Sequence, residues 1–303
     1  GSNTRDEDFL EDIYVANMHS TMLFFTQKGR CYWLKVYEVP EGTKASKGRA
    51  IQNVINIEPD DKVCAYINVK NLSEADYINN NYIVLCTKRG TVKKTSLEAY
   101  SRPRANGVNA ITIRENDELL EAVLTNGKCE ILLAARAGKC VRFSEEKVRA
   151  IGRTGAGVRG INIEEGNEVI GMVCVDPSLQ EKDKINIMVV SENGFGKRSD
   201  LDDYRVTNRG GKGVRTINVT EKTGQLIAIK NVMDDNDLMI INKSGLTIRL
   251  AVSEIRITGR VTQGVKLINL KGKDSIAAVC KVNRSDEENG EEVAAQTEES
   301  VEL

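Results

Sequence analysis

The sequence predicts an all-β fold built from repeated propeller-like blades, and three repeating patterns support this prediction. The first pattern is a segment of the form strand, tight turn, strand, with glycine as the last residue of the turn. It occurs five times, ending at Gly29, Gly90, Gly138, Gly194 and Gly245. Asn193-Gly194 is a strong hairpin signal because both residues tolerate positive φ.

The second pattern is another glycine that follows each turn glycine at a nearly constant distance. The separations are 19, 17, 19, 19 and 19 residues, which place it at Gly48, Gly107, Gly157, Gly213 and Gly264. In the last four repeats this glycine opens a strand with alternating apolar residues, as in Gly157-Val158 followed by Ile161 and Ile163. The first repeat departs from the pattern with Gly48-Arg49-Ala50-Ile51.

The third pattern is a further apolar strand that begins each unit, which gives six such strands against five hairpins. We expect it at residues 12–16, 62–69, 118–124, 168–175, 225–232 and 274–282. The strand at 275–282 has no hairpin after it, so it must pair with a neighbour or cap the array. About four strands in every 50–60 residues is the spacing of propeller blades. Ten residues after each turn glycine we predict a core anchor, namely Val39, Tyr100, Val148, Tyr204 and Ile255.

The net charge of −1 hides a strong segregation of charge along the chain. Residues 1–12 have a net charge of −4 and residues 283–303 a net charge of −7, whereas residues 13–282 carry 41 basic and 31 acidic side chains. A basic body between acidic ends favours a polyanionic partner.

The basic residues recur at fixed offsets from the glycines. Those near the second glycine are Lys44, Lys47, Arg49, Arg102, Arg104, Arg153, Arg159, Arg209, Lys212, Arg215, Arg260 and Lys266. Those three or four residues after the turn glycine are Lys93, Lys94, Arg142, Lys197, Arg198 and Arg249.

Equal offsets map to one side of a repeat array, so we predict that these side chains form a basic belt. Duplex DNA, with a phosphate about every 1.7 Å of axis, could follow such a belt. Aromatic residues do not interleave with the basic loops, and no recognition helix is evident. These absences argue against base stacking and base-specific reading. A solvated surface is the plain alternative for any charge run.

Catalytic and metal-binding functions find little support in the sequence. The seven cysteines are scattered through apolar runs and are expected to be buried, reduced thiols of a cytosolic protein. His19 is the one histidine, so neither a zinc site nor a nucleophile–base pair can be assembled. The cluster Asp200, Asp202 and Asp203 is interpreted as a turn. No uncharged apolar run is long enough for a membrane helix.

Several segments together resemble the C-terminal domain of bacterial DNA gyrase A, across residues 6–282. The segments that carry the resemblance are 15–17, 29–37, 90–95, 157–161, 194–198 and 262–265. The resemblance implies a six-bladed β-pinwheel whose outer surface wraps duplex DNA in a positive sense. It also implies that the parent enzyme is an ATP-hydrolysing type II topoisomerase of the bacterial cytoplasm and nucleoid.

The same resemblance implies that this fragment is not itself an enzyme and needs no cofactor. The catalytic tyrosine belongs to the N-terminal part of gyrase A, and the ATPase belongs to gyrase B. The remaining part of the gyrase A dimer and gyrase B are the implied protein partners.

One departure concerns the Gln-Arg-Arg-Gly-Gly-Lys-Gly box that the family has ahead of the first blade. Here a similar stretch, residues 208–213, lies in a later repeat. The equivalent DNA-binding domain of topoisomerase IV therefore remains an alternative, as does a propeller that recognises proteins.

The expected organisation has three parts. Residues 1–5 form a leader with a vector-derived scar, residues 6–282 form the DNA-wrapping domain, and residues 283–303 form a disordered acidic tail. The tail is expected either to compete with DNA for the basic residues or to act only as a solubilising appendage.

Overall fold

The computed structural model describes residues 17–42 and 48–283. The predicted strand at 12–16, Lys44, Lys47, the leader at 1–5 and residues 284–303 of the predicted tail lie outside the described residues.

The described chain is dominated by short antiparallel strands. The strands are β1 (Thr21–Thr26), β2 (Arg30–Lys35), β3 (Val63–Val69), β4 (Tyr82–Thr87), β5 (Thr91–Ser96), β6 (Val108–Asn109), β7 (Leu119–Thr125), β8 (Glu130–Ala135), β9 (Lys139–Ser144), β10 (Val158–Arg159), β11 (Val169–Val175), β12 (Asn186–Ser191), β13 (Phe195–Asp200), β14 (Val214–Arg215), β15 (Leu226–Val232), β16 (Asn236–Asn242), β17 (Thr247–Ala251), β18 (Val265–Lys266) and β19 (Ile276–Asn283). The α-helices are α1 (Ala75–Asn80) and α2 (Gln180–Asp183). Short 3-10 turns lie at Val36–Glu38, Ile51–Asn53, Leu97–Tyr100, Glu145–Lys147, Pro177–Leu179, Leu201–Asp203 and Val252–Glu254.

All five predicted hairpins are present, and each forms the centre of one blade. The hairpins are β1–β2, β4–β5, β8–β9, β12–β13 and β16–β17. Every turn glycine has a positive φ, between 86° and 100°, which explains the glycine at the end of each turn.

Each blade also receives strands from the segments that follow its own hairpin. The sheets have the orders β3-β1-β2-β6, β7-β4-β5-β10, β11-β8-β9-β14, β15-β12-β13-β18 and β19-β16-β17. The long inner strands β3, β7, β11, β15 and β19 contact one another in succession. The short outer strands β6, β10, β14 and β18 therefore lie at the opposite, outer edge of their blades.

In the first four blades the outer strand comes from beyond the next hairpin. Strand β10, for example, follows the third hairpin but pairs with β5 of the second blade, with Val158 opposite Val92. Its preceding residue, Gly157, has φ +87°, and a Cβ there would lie 2.6 Å from the carbonyl oxygen of Val92. The predicted second glycine is therefore required by the close approach of two backbones.

The prediction of six blades is wrong for the described chain, which forms five. Each blade is built on one hairpin, and the described residues contain five hairpins. The fifth blade has three strands because no described repeat follows it to supply an outer strand. The predicted strand without a hairpin is β19, which pairs with β16 as the inner strand of this blade.

The first repeat departs from the others, as its sequence indicates. A Cβ on Gly48 would meet no atom within 4 Å, and residues 48–50 form no strand. The following segment instead places Ile55 and Ile57 against Phe24 and Leu34 of the first blade. It therefore covers the face of the first blade that has no described blade before it.

Most of the core lies between neighbouring blades, and alternate residues of one strand contribute to different interfaces. In β4, Ile83 and Leu85 pack toward the first blade, whereas Val84 and Cys86 pack toward the third. Both faces of the middle blades are therefore covered.

Four of the five predicted anchors, Tyr100, Val148, Tyr204 and Ile255, are buried. Val39 is 44% exposed, so its predicted role as an anchor is wrong. The buried anchors pack on the blade before their own, as Tyr100 does on Phe25 of the first blade, and no described blade precedes that of Val39.

The exchange of outer strands can be tested at a single glycine. Gly213 has φ +80°, and its substitution by alanine would place a Cβ 2.6 Å from the carbonyl oxygen of Cys140. We expect Gly213→Ala to lower the free energy of unfolding by about 1–3 kcal/mol in urea titrations. Gly211→Ala is the matched control, because the nearest atom to its Cβ is 4.0 Å away. A loss in the control as large as that of Gly213→Ala would contradict this explanation.

Candidate nucleic-acid interface

Three predicted cations occupy the same place in the outer strands of consecutive blades. Arg159 ends β10, Arg215 ends β14 and Lys266 ends β18, and all three are exposed. We call them the outer-strand cations. Their partners across the sheet, Thr91, Lys139 and Phe195, are also at equivalent positions. The repeat therefore places one positive charge at the same point on the outer edge of three blades.

The segments that lead into β6, β10, β14 and β18 are residues 101–107, 149–157, 205–213 and 256–264, which we call the outer loops. Three of them carry a half-buried arginine at the predicted offset. These strap arginines are Arg153, Arg209 and Arg260.

Each strap arginine donates a hydrogen bond to the outer strand of the neighbouring blade. The Nη1 of Arg209 lies 2.8 Å from the carbonyl oxygen of Arg159. The Nη1 of Arg260 lies 2.5 Å from that of Arg215, and the Nη1 of Arg153 lies 3.1 Å from that of Asn109. These bonds connect each of the three outer loops to the outer strand of the preceding blade.

The structure corrects the predicted exposure of five other cations. Lys93, Lys94, Arg142, Lys197 and Arg198 are buried, with at most 8% of each residue exposed. They lie on hairpin strands, and neighbouring blades cover both faces of these strands. A constant offset from the turn glycine therefore does not place a side chain on the surface. These five side chains are therefore removed from the predicted belt.

The buried cations at the fourth position after the turn glycine join each blade to the next repeat. Arg142 donates to the carbonyl oxygens of Leu201 and Tyr204 at 2.9 and 2.7 Å, and its Nε lies 2.5 Å from Glu130. Lys94 similarly donates to the carbonyl oxygen of Glu145 at 3.0 Å.

Arg198 donates to the carbonyl oxygen of Ile255 at 2.5 Å. Arg249 has the same offset in the fifth blade but is exposed, and it donates to Asp237 of its own blade at 2.7 Å. No described repeat follows to cover it.

The remaining predicted cations lie in the outer loops or in the first repeat. Arg49, Arg102, Arg104 and Lys212 are exposed. Arg102 and Arg104 line a cleft of about 330 Å³ together with Arg153. Lys212 and Arg209 line a second cleft, of about 470 Å³, under the loop at 205–213.

Three further exposed arginines lie in the outer loops and were not among the predicted cations, namely Arg149, Arg205 and Arg256. Each lies eleven residues after its turn glycine, so the same offset rule would have found them. Arg205 lines the cleft of about 470 Å³ together with Arg209 and Lys212, and it adds a positive charge to the loop at 205–213.

Acidic side chains concentrate at a different place, the connections that precede the inner strands. Glu118, Glu164, Glu165 and Glu168 line a cleft of about 740 Å³ near the turn at Arg89. The outer loops and these acidic connections nevertheless lie close together, because Arg114 of one connection donates to the carbonyl oxygen of Gly157 at 3.2 Å.

Other site chemistry is sparse in the residues that the structure describes. No group of three or more His, Cys, Asp or Glu side chains there could hold a metal ion. Five cysteines are buried and Cys64 and Cys174 are half-buried, all as free thiols. Burial raises the pKa of Cys129 to about 11 and that of Cys86 well above its ordinary value. None of the described helices has the length and apolar character needed to cross a membrane.

Comparison with known proteins places this geometry in a family. The model of the DNA gyrase C-terminal domain, beta-propeller, matches residues 20–64, 81–126, 130–176, 186–233 and 236–283. The DNA gyrase A protein of Staphylococcus aureus (strain MRSA252) is 42% identical over 303 residues, which is all of this chain and 33% of the relative. The chain thus spans about a third of the length of such relatives.

Two solved structures share the fold. The C-terminal domain of DNA topoisomerase IV superposes with a TM-score of 0.79 at 24% identity, covering 93% of this chain and 84% of that one. A DNA gyrase A C-terminal domain superposes with a TM-score of 0.74 at 20% identity, covering 93% and 91%. The family model matches five successive repeats, and the relative from Staphylococcus aureus matches the whole chain. The chain therefore belongs to the family of DNA gyrase C-terminal β-propeller domains.

Proposed function

We propose that this chain binds the sugar–phosphate backbone of duplex DNA along its outer strands. The observation that carries the proposal is the equal, exposed position of Arg159, Arg215 and Lys266 in three consecutive blades. Cations that neutralise successive phosphates release condensed counterions, which is the main source of sequence-independent affinity for DNA.

The strap arginines support the proposal because two of them, Arg209 and Arg260, bond the outer strands that carry Arg159 and Arg215. Arg209 uses two N–H groups, on the carbonyl oxygens of Lys147 and Arg159 at 3.2 and 2.8 Å. A guanidinium has five N–H donors, so three remain for phosphate oxygens. A surface that is ordered before binding loses less conformational entropy when DNA is bound.

The expected mode of recognition is independent of base sequence. The longest described helix, α1, has six residues, too few to read the major groove as a recognition helix does. Tyr37 is the one aromatic residue among the exposed large hydrophobic residues of the described chain, so a stacking platform for single strands is also lacking.

Contacts on several blades would force the duplex to curve. The inner strands contact one another, so the outer strands lie on the convex side of the array. Bending 20–30 bp by 40–90° costs about 1–6 kcal/mol, which contacts on several blades must offset. We infer that the chain wraps DNA, in the positive sense implied by the family resemblance.

The longer protein is proposed to be the gyrase A component of a bacterial DNA gyrase, which acts in the cytoplasm together with gyrase B. Wrapping would present a DNA segment for ATP-dependent passage and so introduce negative supercoils. The identity of 42% with a gyrase A protein favours this assignment. Topoisomerase IV is the second candidate, because its C-terminal domain shares the fold with a TM-score of 0.79.

The outer-strand cations can be tested by neutralising all three, as Arg159→Gln, Arg215→Gln and Lys266→Gln. Each lost phosphate contact should lower the magnitude of the slope of log affinity against log salt by about 0.9. We therefore expect the triple variant to bind duplex DNA more weakly. The magnitude of its slope should be lower by about 2.7, since three contacts are lost. Fluorescence anisotropy with two unrelated sequences at several salt concentrations measures both quantities.

The matched control removes three charges from exposed positions outside the outer strands, as Lys128→Gln, Lys182→Gln and Lys243→Gln. It should keep the slope of the unmodified chain. An equal loss of slope in both triple variants would contradict specific contacts at the outer strands and indicate a general effect of net charge.

Wrapping makes a separate prediction about DNA topology. When a nicked circular plasmid is sealed by ligase with the chain bound, positive wrapping should leave a raised linking number after the protein is removed. Gel electrophoresis resolves the topoisomers, and the shift should grow with protein concentration. Tight binding with an unchanged linking number would mean that the chain binds DNA without wrapping it.

A further inference from the structure

The third position after the turn glycine differs between the blades. It holds Lys93 in the second blade and Lys197 in the fourth. The first, third and fifth blades have Tyr32, Val141 and Ile248 there. Both lysine residues are only 1% exposed, so neither can contact DNA directly.

Each buried ammonium donates to main-chain carbonyl groups of an outer loop. The Nζ of Lys93 lies 2.5 Å from the carbonyl oxygen of Arg153 and 2.6 Å from that of Ala110. It therefore joins the loop of one blade to the chain just after β6, the outer strand of the neighbouring blade.

Lys197 makes the equivalent contacts in the fourth blade. Its Nζ donates to the carbonyl oxygen of Arg260 and lies 2.9 Å and 3.0 Å from those of Gly259 and Thr262. In both blades the residue bound through its carbonyl is the strap arginine itself. The lysine thus fixes the backbone from which the arginine side chain extends.

The third blade shows the arrangement without a lysine. Val141 lies beneath the outer loop at 205–213, and the cleft of about 470 Å³ opens between them. The blade nevertheless has the same four-stranded sheet as its neighbours. An apolar residue at this position is therefore compatible with the fold, and the lysines are not needed to build a blade.

The position is also an unfavourable one for a positive charge. Burial, followed by the nearby charge of Arg153, lowers the pKa of Lys93 to about 8. Burial and Arg260 likewise lower the pKa of Lys197 to about 8, against an opposing effect of Asp203. Hydrogen bonds to main-chain carbonyl groups replace those that each ammonium would make with water.

We propose that Lys93 and Lys197 are positioning residues that hold the outer loops at 149–157 and 256–264 in the conformation that engages DNA. The proposal rests on the proposed DNA-binding function. Because both side chains are buried, they affect affinity through the loops that they hold and not by contact with DNA.

The test replaces each lysine by the residue of the third blade, as Lys93→Val and Lys197→Val. Lys182→Val is the control, since it removes the same charge from the exposed helix α2. We expect each lysine variant to bind duplex DNA more weakly at pH 7, with a salt slope lower by about one because one phosphate contact is lost. The control should match the unmodified chain.

A pH profile separates positioning from folding. As pH rises from 7 to 9 both lysines lose a proton, whereas arginine stays charged. A neutral amine makes weaker hydrogen bonds to the loop carbonyl groups than an ammonium does. The affinity of the unmodified chain should therefore fall over this range, and that of the double variant Lys93→Val/Lys197→Val should not fall. The folded state releases these protons at a lower pH than the unfolded state. Their contribution to stability therefore rises with pH, and unfolding cannot explain weaker binding.

Hydrogen exchange of the DNA-free chain provides a readout that does not depend on DNA binding. The amides of the loops at 149–157 and 256–264 should exchange faster in the double variant, and those of the loop at 205–213 should not change. Unaltered exchange in all three loops, or unaltered affinity, slope and pH profile, would overturn the positioning role. If the unmodified chain does not bind duplex DNA, the proposed function fails, while the exchange rates still report whether the lysines order the loops.

Discussion

Each middle blade is completed by a two-residue strand from beyond the next hairpin, and this exchange of strands determines how the blades are joined. Val158 and Arg159 pair with Val92 and Thr91 of the second blade, and a Cβ on Gly157 would lie 2.6 Å from the carbonyl oxygen of Val92. A blade therefore cannot be completed by its own repeat. The exchange joins each blade to the repeat that follows it. It also places an exposed cation at the outer edge of each of three sheets.

The positive charges of the repeat serve two physically different purposes. Cations on the hairpin strands are buried, and Arg142 uses its donors on Glu130, Leu201 and Tyr204 to join one blade to the next repeat. Removing a guanidinium from water is costly unless each donor finds a partner, which the carbonyl groups of the adjacent 3-10 turn supply. Cations on the outer strands are exposed and remain available to a polyanion.

Much of this arrangement could be predicted from the sequence, because turns and alternating strands leave local signals. The turn at Asn193-Gly194 and the strand opened by Gly157 depend on backbone conformations that few other residues adopt. What the sequence could not provide was the set of surfaces that cover each strand. Cations recur both at the offset of Arg142 and at the offset of Arg159. Arg142 nevertheless lies between two blades, whereas Arg159 lies at the edge of a sheet. The same limitation explains Val39, which has no described blade before it to pack on, and the predicted sixth blade, for which the described chain has no hairpin.

We propose that the outer loops and outer strands form the DNA-binding surface. Hydrogen exchange of the chain with and without duplex DNA can locate that surface, because amide protection reports contact region by region. We expect protection in residues 149–159, 205–215 and 256–266, and unchanged exchange in the acidic connections at 114–118 and 164–168. Protection confined to the acidic connections or the inner strands, with the outer loops unaffected, would contradict it.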